Sequence, residues 1–331
     1  MNKVCAVIVT YGNRFHLLKQ VIDSCFENKI DKILIVDNGS HIESKRQMKK
    51  YKNKYTNKIQ VIHLSKNLGS AGGFKIGIKT AYKDPSVEYI LLLDDDNVLS
   101  KKFFENLREI VNSYSKIYQK DSVAFSSYRL FSDLSYLQIT KNTFLGFHIK
   151  HITKKIRKVL FNTAQHKIMN INTDDKRIYD VEHAVYGGLI FHKSLIEKYG
   201  LPDERLILYG DDTEYTYRIT SNGGKIFLLL SCTIKDVEIR HGGEAKKMFS
   251  TTLINLDKSK CYYSIRNFSY FETHFKKNNT FIRAINQSIY LSILYFLCFI
   301  HKKKDRFKLI MEAVKDGKRE ILGYNPKYPL N

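Results

Sequence analysis

The sequence has no pair of cysteines at disulfide or metal-ligand spacing. Cys5, Cys25, Cys232, Cys261 and Cys298 are scattered without a CxxC, and Cys5 and Cys298 lie inside apolar runs, where cysteine acts as a small hydrophobe. That excludes a disulfide scaffold and fits a reducing compartment. Long apolar runs are missing too. The longest, residues 289–300 (IYLSILYFLCFI), has about half of the roughly 20 residues a spanning helix needs. Residues 4–10 are too short for a secretion signal and lead straight into polar sequence. The expectation is a cytoplasmic protein that lies on a membrane rather than crossing it. There are no internal repeats.

Acidic residues are scarce: 33 Asp and Glu stand against 55 Lys and Arg, for a formal charge of +22. From Lys246 onward there are 17 basic and 6 acidic residues, and residues 141–170 hold 7 basic and none acidic. So localised a surplus implies an anionic partner: a membrane leaflet, nucleic acid or a phosphorylated substrate. A general lysine bias is the plainer alternative. With 43% hydrophobic and 13% aromatic residues, the chain can bury one large α/β domain plus a smaller appendage.

What is present is a strand–helix alternation. Residues 4–9 (VCAVIV), 32–36 (KILIV), 59–64 (IQVIHL) and 89–93 (YILLL) are apolar runs of the kind buried in parallel sheets. Helical spacing over residues 15–26 and 72–82 falls between them. This rhythm predicts a mostly parallel sheet with helices on both faces. Each run ends in a polar cluster: TYGN (10–13), DNG (37–39), NLGSAGG (67–73) and DDD (94–96). In such sheets ligands bind beyond the C-terminal strand ends, so one rim is expected to carry all four. Further on, strands are expected at 186–191 and 225–230, with helices at 103–118, 193–199 and 211–220. The chain beyond 249 reads as helical, basic and aromatic.

Three constellations carry chemistry. Asp94, Asp95 and Asp96 follow four apolar residues, and three adjacent carboxylates repel unless neutralised. Asp94 and Asp96 leave the strand on one side, so a hard divalent cation bridging phosphates is the natural partner. A solvated, helix-capping turn is the alternative. Asp211, Asp212 and Glu214, with Arg218 one turn on, open a helix, and one of these acids is a candidate general base. Capping accounts for one acid of the three. The third constellation is the glycine-rich segment 67–73, read as a loop whose amides approach a phosphate or sugar. It matches neither a P-loop nor a dinucleotide fingerprint. Asp37 could accept from a base or ribose, and Asp236 and His241 are candidate further metal ligands.

In this order the chain resembles family 2 glycosyltransferases of the GT-A fold, most closely the bacterial galactofuranosyl- and rhamnosyltransferase branch. The resemblance rests on AVIVTYGNR (6–14), ILIVDNGS (33–40), NLGSAGGF (67–74), LLLDDDN (91–97), YGGLIF (186–191), YGDDTEYTYR (209–218) and YYSIRN (262–267). It implies an inverting transferase using a nucleotide-diphosphate sugar, UDP- or dTDP-linked, with Mn²⁺ or Mg²⁺. By position, the donor would meet Thr10, Tyr11, Asp37, Asn38, Asn67, Gly72, Gly73, Asp94 and Asp95. Asp94 and Asp96 would bind metal, with Asp236 or His241 as the third ligand. Asp212 would be the base, and Asp211, Glu214, Tyr209, Gly187 and Gly188 would meet the acceptor. The family's usual Trp before the DDxE run is absent, and Tyr209 stands in that neighbourhood.

The resemblance divides the chain into a catalytic domain at 1–248, with a basic insertion near 141–170, and a C-terminal helical region at 249–331. That region, where residues 289–300 meet His301–Lys304, suits an anionic leaflet and a lipid-linked acceptor in cell-surface polysaccharide synthesis, such as capsule or O-antigen. A buried helix with a basic turn is the alternative. Residues 151–161 form a possible second amphipathic contact. Nucleic-acid binding is disfavoured, because no recognition motif appears and rim carboxylates repel phosphates. A sugar nucleotidyltransferase would carry a Gly-rich basic loop after its first strand, and residues 10–14 offer one Gly.

Overall fold

The computed structural model describes residues 3–130, 178–238, 254–275 and 280–330. Its first half alternates β1 (Val4–Gly12), α1 (Phe15–Glu27), β2 (Lys32–Ser40), α2 (Ile42–Lys54), β3 (Ile59–His63), α3 (Gly69–Lys83) and β4 (Tyr89–Asp94). β3, β2, β1 and β4 are parallel neighbours in that order. The centres of β1, β2 and β4 are apolar because both faces are covered. Val4, Ala6 and Ile8 join a core with Leu18, Val21 and Met48 of α1 and α2. Cys5 and Val7 join a second core with Phe74, Ile78 and Ala81 of α3.

The second half adds β5 (Asn97–Leu99), α4 (Phe103–Tyr114), β6 (Val123–Leu130), β7 (Ile178–Val181), β8 (Leu189–His192), α5 (Leu195–Tyr199), α6 (Asp211–Ser221) and β9 (Lys225–Asp236). The sheet continues β4-β8-β6-β9-β5, with β7 paired to β9, and is mixed because β8, β5 and β7 run antiparallel to their neighbours. This is the expected α/β architecture with a mostly parallel mixed sheet. β5, β6 and β7 were not foreseen, and β9 runs six residues past its expected end. That extension matters, since β9 pairs Asp236 opposite Asn97 of β5.

One local expectation is corrected. Segment 67–73 is not a glycine loop, because α3 already begins at Gly69. Asn67 Oδ1 accepts from the Gly69 N–H (2.9 Å) and starts the helix. Gly72 and Gly73 are buried inside it. A Cβ on Gly73 would stand 2.7 Å from Val9 Cγ1, so this glycine lets α3 lie close on β1.

After residue 254 come α7 (Lys258–His274), α8 (Thr280–Ile300) and α9 (Lys304–Lys318). They close over a third core that includes Tyr262, Tyr263, Leu294, Cys298 and Ile310. Among the described residues no helix is long and apolar enough to cross a membrane. All five cysteines are buried thiols outside any disulfide. The expected boundary at 248/249, the basic insertion, residues 151–161 and His241 lie outside the described residues.

Candidate active site

The four parallel strands deliver their polar ends to one rim, but much of that polarity is used internally. Asp37 is fully buried. Its Oδ1 accepts from the Ser40 N–H (2.7 Å) and its Oδ2 from His63 Nδ1 (2.7 Å). Because a carboxylate only accepts, His63 carries its hydrogen on Nδ1. Asn38 staples β2 to the α3 entry: Nδ2 donates to Asn67 Oδ1 (3.1 Å) and the Gly69 carbonyl (2.9 Å), while Oδ1 accepts from the Leu68 N–H (2.8 Å). Tyr11 presents its ring to solvent with the Arg14 guanidinium 5.2 Å above it.

Within the aspartate triplet the three carboxylates have different surroundings. Asp95 is buried and accepts from Thr10 Oγ1 (2.7 Å) and from Arg14 Nε and Nη2 (2.9 and 2.8 Å). Arg14 also donates to Glu238 (2.6 Å), so Asp95 is a structural anchor. Asp96 is buried too, and its carboxyl is raised to about 6 by burial and by the nearby Asp94 and Asp236 charges. Asn97, fully buried, organises the group. Its Nδ2 donates to Asp96 (3.1 Å) and Asp236 (2.9 Å), and its Oδ1 accepts from the Asp94 N–H (3.0 Å).

Arg129 of β6 completes this side. Its Nη2 donates to Asp236 (2.7 Å) and its Nη1 lies 3.7 Å from Asp94. Gly187 sits against all three, since a Cβ there would be 3.0 Å from Asp94 Oδ2 and 3.2 Å from Arg129 Nη1 and would collide with Asn97 Oδ1. Gly188 takes φ +85° beside Ser127. Arg14 and Arg129 are the arginines paired with Asp94, Asp95, Asp96 and Asp236, and the donors are hard carboxylate oxygens. Surplus negative charge of that kind suits a divalent cation. Among the described residues, however, no three His, Cys, Asp or Glu side chains converge as a ligand set.

The second acidic cluster opens α6. Gly210, in the left-handed region at φ +80°, turns the chain so that Asp211 and Asp212 start the helix. Asp212 Oδ1 accepts from the Thr213 N–H (2.7 Å), and Asp211 Oδ2 from Ser70 Oγ (2.8 Å). Burial raises Asp212 above the usual carboxylate value, against the Thr213 hydrogen bonds that lower it. Burial and the Asp212 charge raise Asp211 further. Asp94 and Asp211 lie close enough to feel each other's charge, and so do Arg129 and Asp212. Glu214 is buried, and both its oxygens accept from Arg218 (2.8 and 3.0 Å). Arg218 also holds the Tyr199 and Leu201 carbonyls. Tyr209 is 41% exposed before this helix.

Thus Asp94, Asp96, Asp211, Asp212, Asp236, Gly187 and Gly188 gather in one region, whereas Asp37, Asn38, Asp95 and Glu214 are engaged within the protein. Arg129, Asn97, His63 and Ser70 were missed. Asn97 directly follows the triplet and was legible there; the others are single residues that only the sheet order brings in. Residues 5–200 match the description Glycosyl transferase family 2.

The chain belongs to glycosyl transferase family 2.

This family 2 chain is 23% identical over 232 residues to galactofuranosyltransferase GlfT1 of Mycolicibacterium smegmatis, an alignment covering 66% of each protein. It is 21% identical over 327 residues to dTDP-rhamnosyl transferase RfbF of Shigella flexneri, covering 97% of each. The solved structure of GalNAc-T7 with UDP, GalNAc and Mn²⁺ superposes at a TM-score of 0.57 and 14% identity, covering 100% of this chain and 58% of that one. The shared fold is GT-A.

Proposed function

We propose that this family 2 protein is an inverting glycosyltransferase that moves a sugar, galactofuranose or rhamnose first, from a UDP- or dTDP-linked donor to a hydroxyl of a growing cell-surface polysaccharide. The observation that carries the reading is the meeting of two acidic clusters, 94–96 and 211–214, beside Gly187 and Arg129. The names of GlfT1 and RfbF support the two donor sugars.

In this reading the acceptor oxygen attacks the anomeric carbon and gives its proton to Asp212, while the bond to the diphosphate breaks and its electron pair leaves with the phosphate. Burial raises both Asp211 and Asp212 above the usual carboxylate value, the Asp212 charge adds to the rise at Asp211, and Asp211, held by Ser70, lies beside the proposed base. Tyr11 and His63 flank the base of the donor, and Asp37 acts through His63. Gly187 and Gly188, whose backbone packs directly on Asp94, Asn97 and Ser127, meet the acceptor, and the Tyr209 ring offers it a stacking face. Asp94 and Asp96 would hold Mn²⁺ or Mg²⁺, with Asp236 or His241 beside them. When bound, that cation offsets the charge developing on the diphosphate.

The catalytic domain is proposed as 1–248 and the membrane-facing region as 249–331, on the cytoplasmic leaflet. Supporting this, α8 exposes Phe281, Ile285, Ile289, Phe296, Phe299 and Ile300 along one stripe next to Lys302, Lys303 and Lys304, which complements an anionic surface bearing a lipid-linked acceptor. A Phe296→Asp/Phe299→Asp chain should lose flotation with anionic vesicles; equal flotation would remove the membrane role.

The function itself is tested by a donor panel assayed for nucleoside diphosphate release, with Mn²⁺ and with EDTA. UDP-galactofuranose or dTDP-rhamnose should release diphosphate in the presence of metal. Release of pyrophosphate instead would make the protein a nucleotidyltransferase, and turnover indifferent to EDTA would remove the cation.

A further inference from the structure

The segment joining the 3₁₀ turn at Glu204–Leu206 to α6 is strained where the site needs it defined. Ile207 has φ 65° and ψ −68°, and the Leu208 N–H donates to the Leu206 carbonyl (2.7 Å), which makes Ile207 the centre of a positive-φ γ-turn. A β-branched residue rarely adopts that conformation. Tyr209 at φ 62° and Gly210 at φ 80° follow, so three of the four residues before Asp211 lie at positive φ. Such backbone persists only where its surroundings over-determine it.

The surroundings are two buried side chains of α7. Asn267 Nδ2 faces the carbonyls of Leu206 (2.6 Å), Leu208 (3.0 Å) and Tyr209 (2.7 Å). Arg266 donates through Nη2 to the Arg205 and Leu206 carbonyls (3.0 and 3.1 Å) and through Nη1 to the Gly323 carbonyl (2.5 Å). Its Nε donates to Asn267 Oδ1 (2.9 Å), which fixes the amide with its NH₂ toward the loop. Both residues are 1% exposed. The guanidinium also lies 5.6 and 4.8 Å from the Tyr262 and Tyr263 ring centres, an aromatic cradle for a buried cation. From the opposite side, the Ala71 N–H donates to the Ile207 carbonyl (3.2 Å) and Ser70 holds Asp211.

We propose that Arg266 and Asn267 are positioning residues for catalysis: they hold residues 206–210 in the conformation that aims Asp212 at the acceptor hydroxyl. Through these two side chains α7 supports the segment that opens α6. The inference rests on the reading of Asp212 as the base.

The test uses the full chain with Asn267→Ala, and Asn267→Asp as a same-shape variant lacking the NH₂ donors, to be read identically should Asn267→Ala not fold. Leu294→Ala, in the third core, controls for general loosening. Two readouts are taken: hydrogen exchange of amides 206–214, and kcat per nucleotide-binding site from calorimetry with UDP or dTDP. Exchange at 206–214 should quicken about tenfold or more while β1–β4 amides are unchanged. The kcat should fall about 100-fold with nucleotide affinity retained. Leu294→Ala should lower Tm and leave kcat per site as it was. Unchanged exchange at 206–214, unchanged kcat per site, or an equal loss in Leu294→Ala would each overturn the proposal. If the wild-type chain released no diphosphate from any donor, the transferase reading would fail, and the exchange experiment would still decide whether the clamp exists.

Discussion

In each acidic cluster an arginine holds the most firmly engaged carboxylate, but the two arginines reach it differently. Asp95 is held by Arg14, 81 residues upstream, which also binds Glu238 beyond β9. Glu214 is held by Arg218, four residues along the same helix. The first pair ties three separate parts of the rim together and is the more buried, with Arg14 15% and Asp95 4% exposed at the side chain against 26% and 5% for Arg218 and Glu214. The second stiffens one helix and its entry. The sequence places acids in runs of similar appearance, yet in each run the anchored acid frees its neighbours to face the site.

Removing the arginines is the strongest way to break that comparison. Arg14→Met strands Asp95 and Asp96 in a buried setting and should cost about 3–5 kcal/mol, seen as a lower Tm and lost nucleotide binding. Arg218→Met should cost less, about 1–3 kcal/mol, with nucleotide binding intact. Equal losses would mean that the long-range pair has no special place. Gly187→Ala pushes a methyl against Asp94, Asn97 and Arg129. It should destabilise by about 1–3 kcal/mol and depress turnover further than stability explains; unimpaired turnover would place the acceptor elsewhere.

Glu214→Gln sharpens the contrast at smaller scale. With both oxygens on Arg218, the change should cost about 1 kcal/mol of stability and leave turnover within a few-fold. A collapse of turnover at unchanged Tm would return Glu214 to the acceptor site. The mildest effect is on pH. Burial raises Asp212, and the base must be ionised, so turnover should fall as pH drops through that raised value and ignore this group above it. An acid limb of log(kcat/KM) within the ordinary carboxylate range, near 3.8, would contradict a buried base.

The parallel half of the fold was readable because its signal is local. A run such as residues 4–9 is apolar on both faces, and each run stops at a polar cluster. The mixed half was not. β5 is three residues long, and past its apolar run at 225–230 β9 is marked only by the alternation of Cys232 and Ile234 with Ser231, Thr233 and Lys235. Arg129 therefore entered the site through pairing that no spacing announces, whereas Asp236 was already a candidate ligand in the sequence. At the rim, the sequence shows the residue types and not their partners. Asp37 and Asn38 looked available; the Asp37–Ser40 bond is local, but the bonds to His63, Leu68 and Gly69 appear only once β3 and the start of α3 lie beside β2. Gly73 and Gly77 of α3 mark close packing on β1, at Val9 and Val7, which spacing alone did not reveal.

The most direct test of the account is Asp212→Asn, an isosteric change at the start of α6 that keeps an acceptor for the Thr213 N–H. Turnover is measured per nucleotide-binding site with the donor that the wild-type protein accepts. The account predicts a fall of about 10³-fold with nucleotide affinity and Tm unchanged. Full turnover in this variant would contradict it.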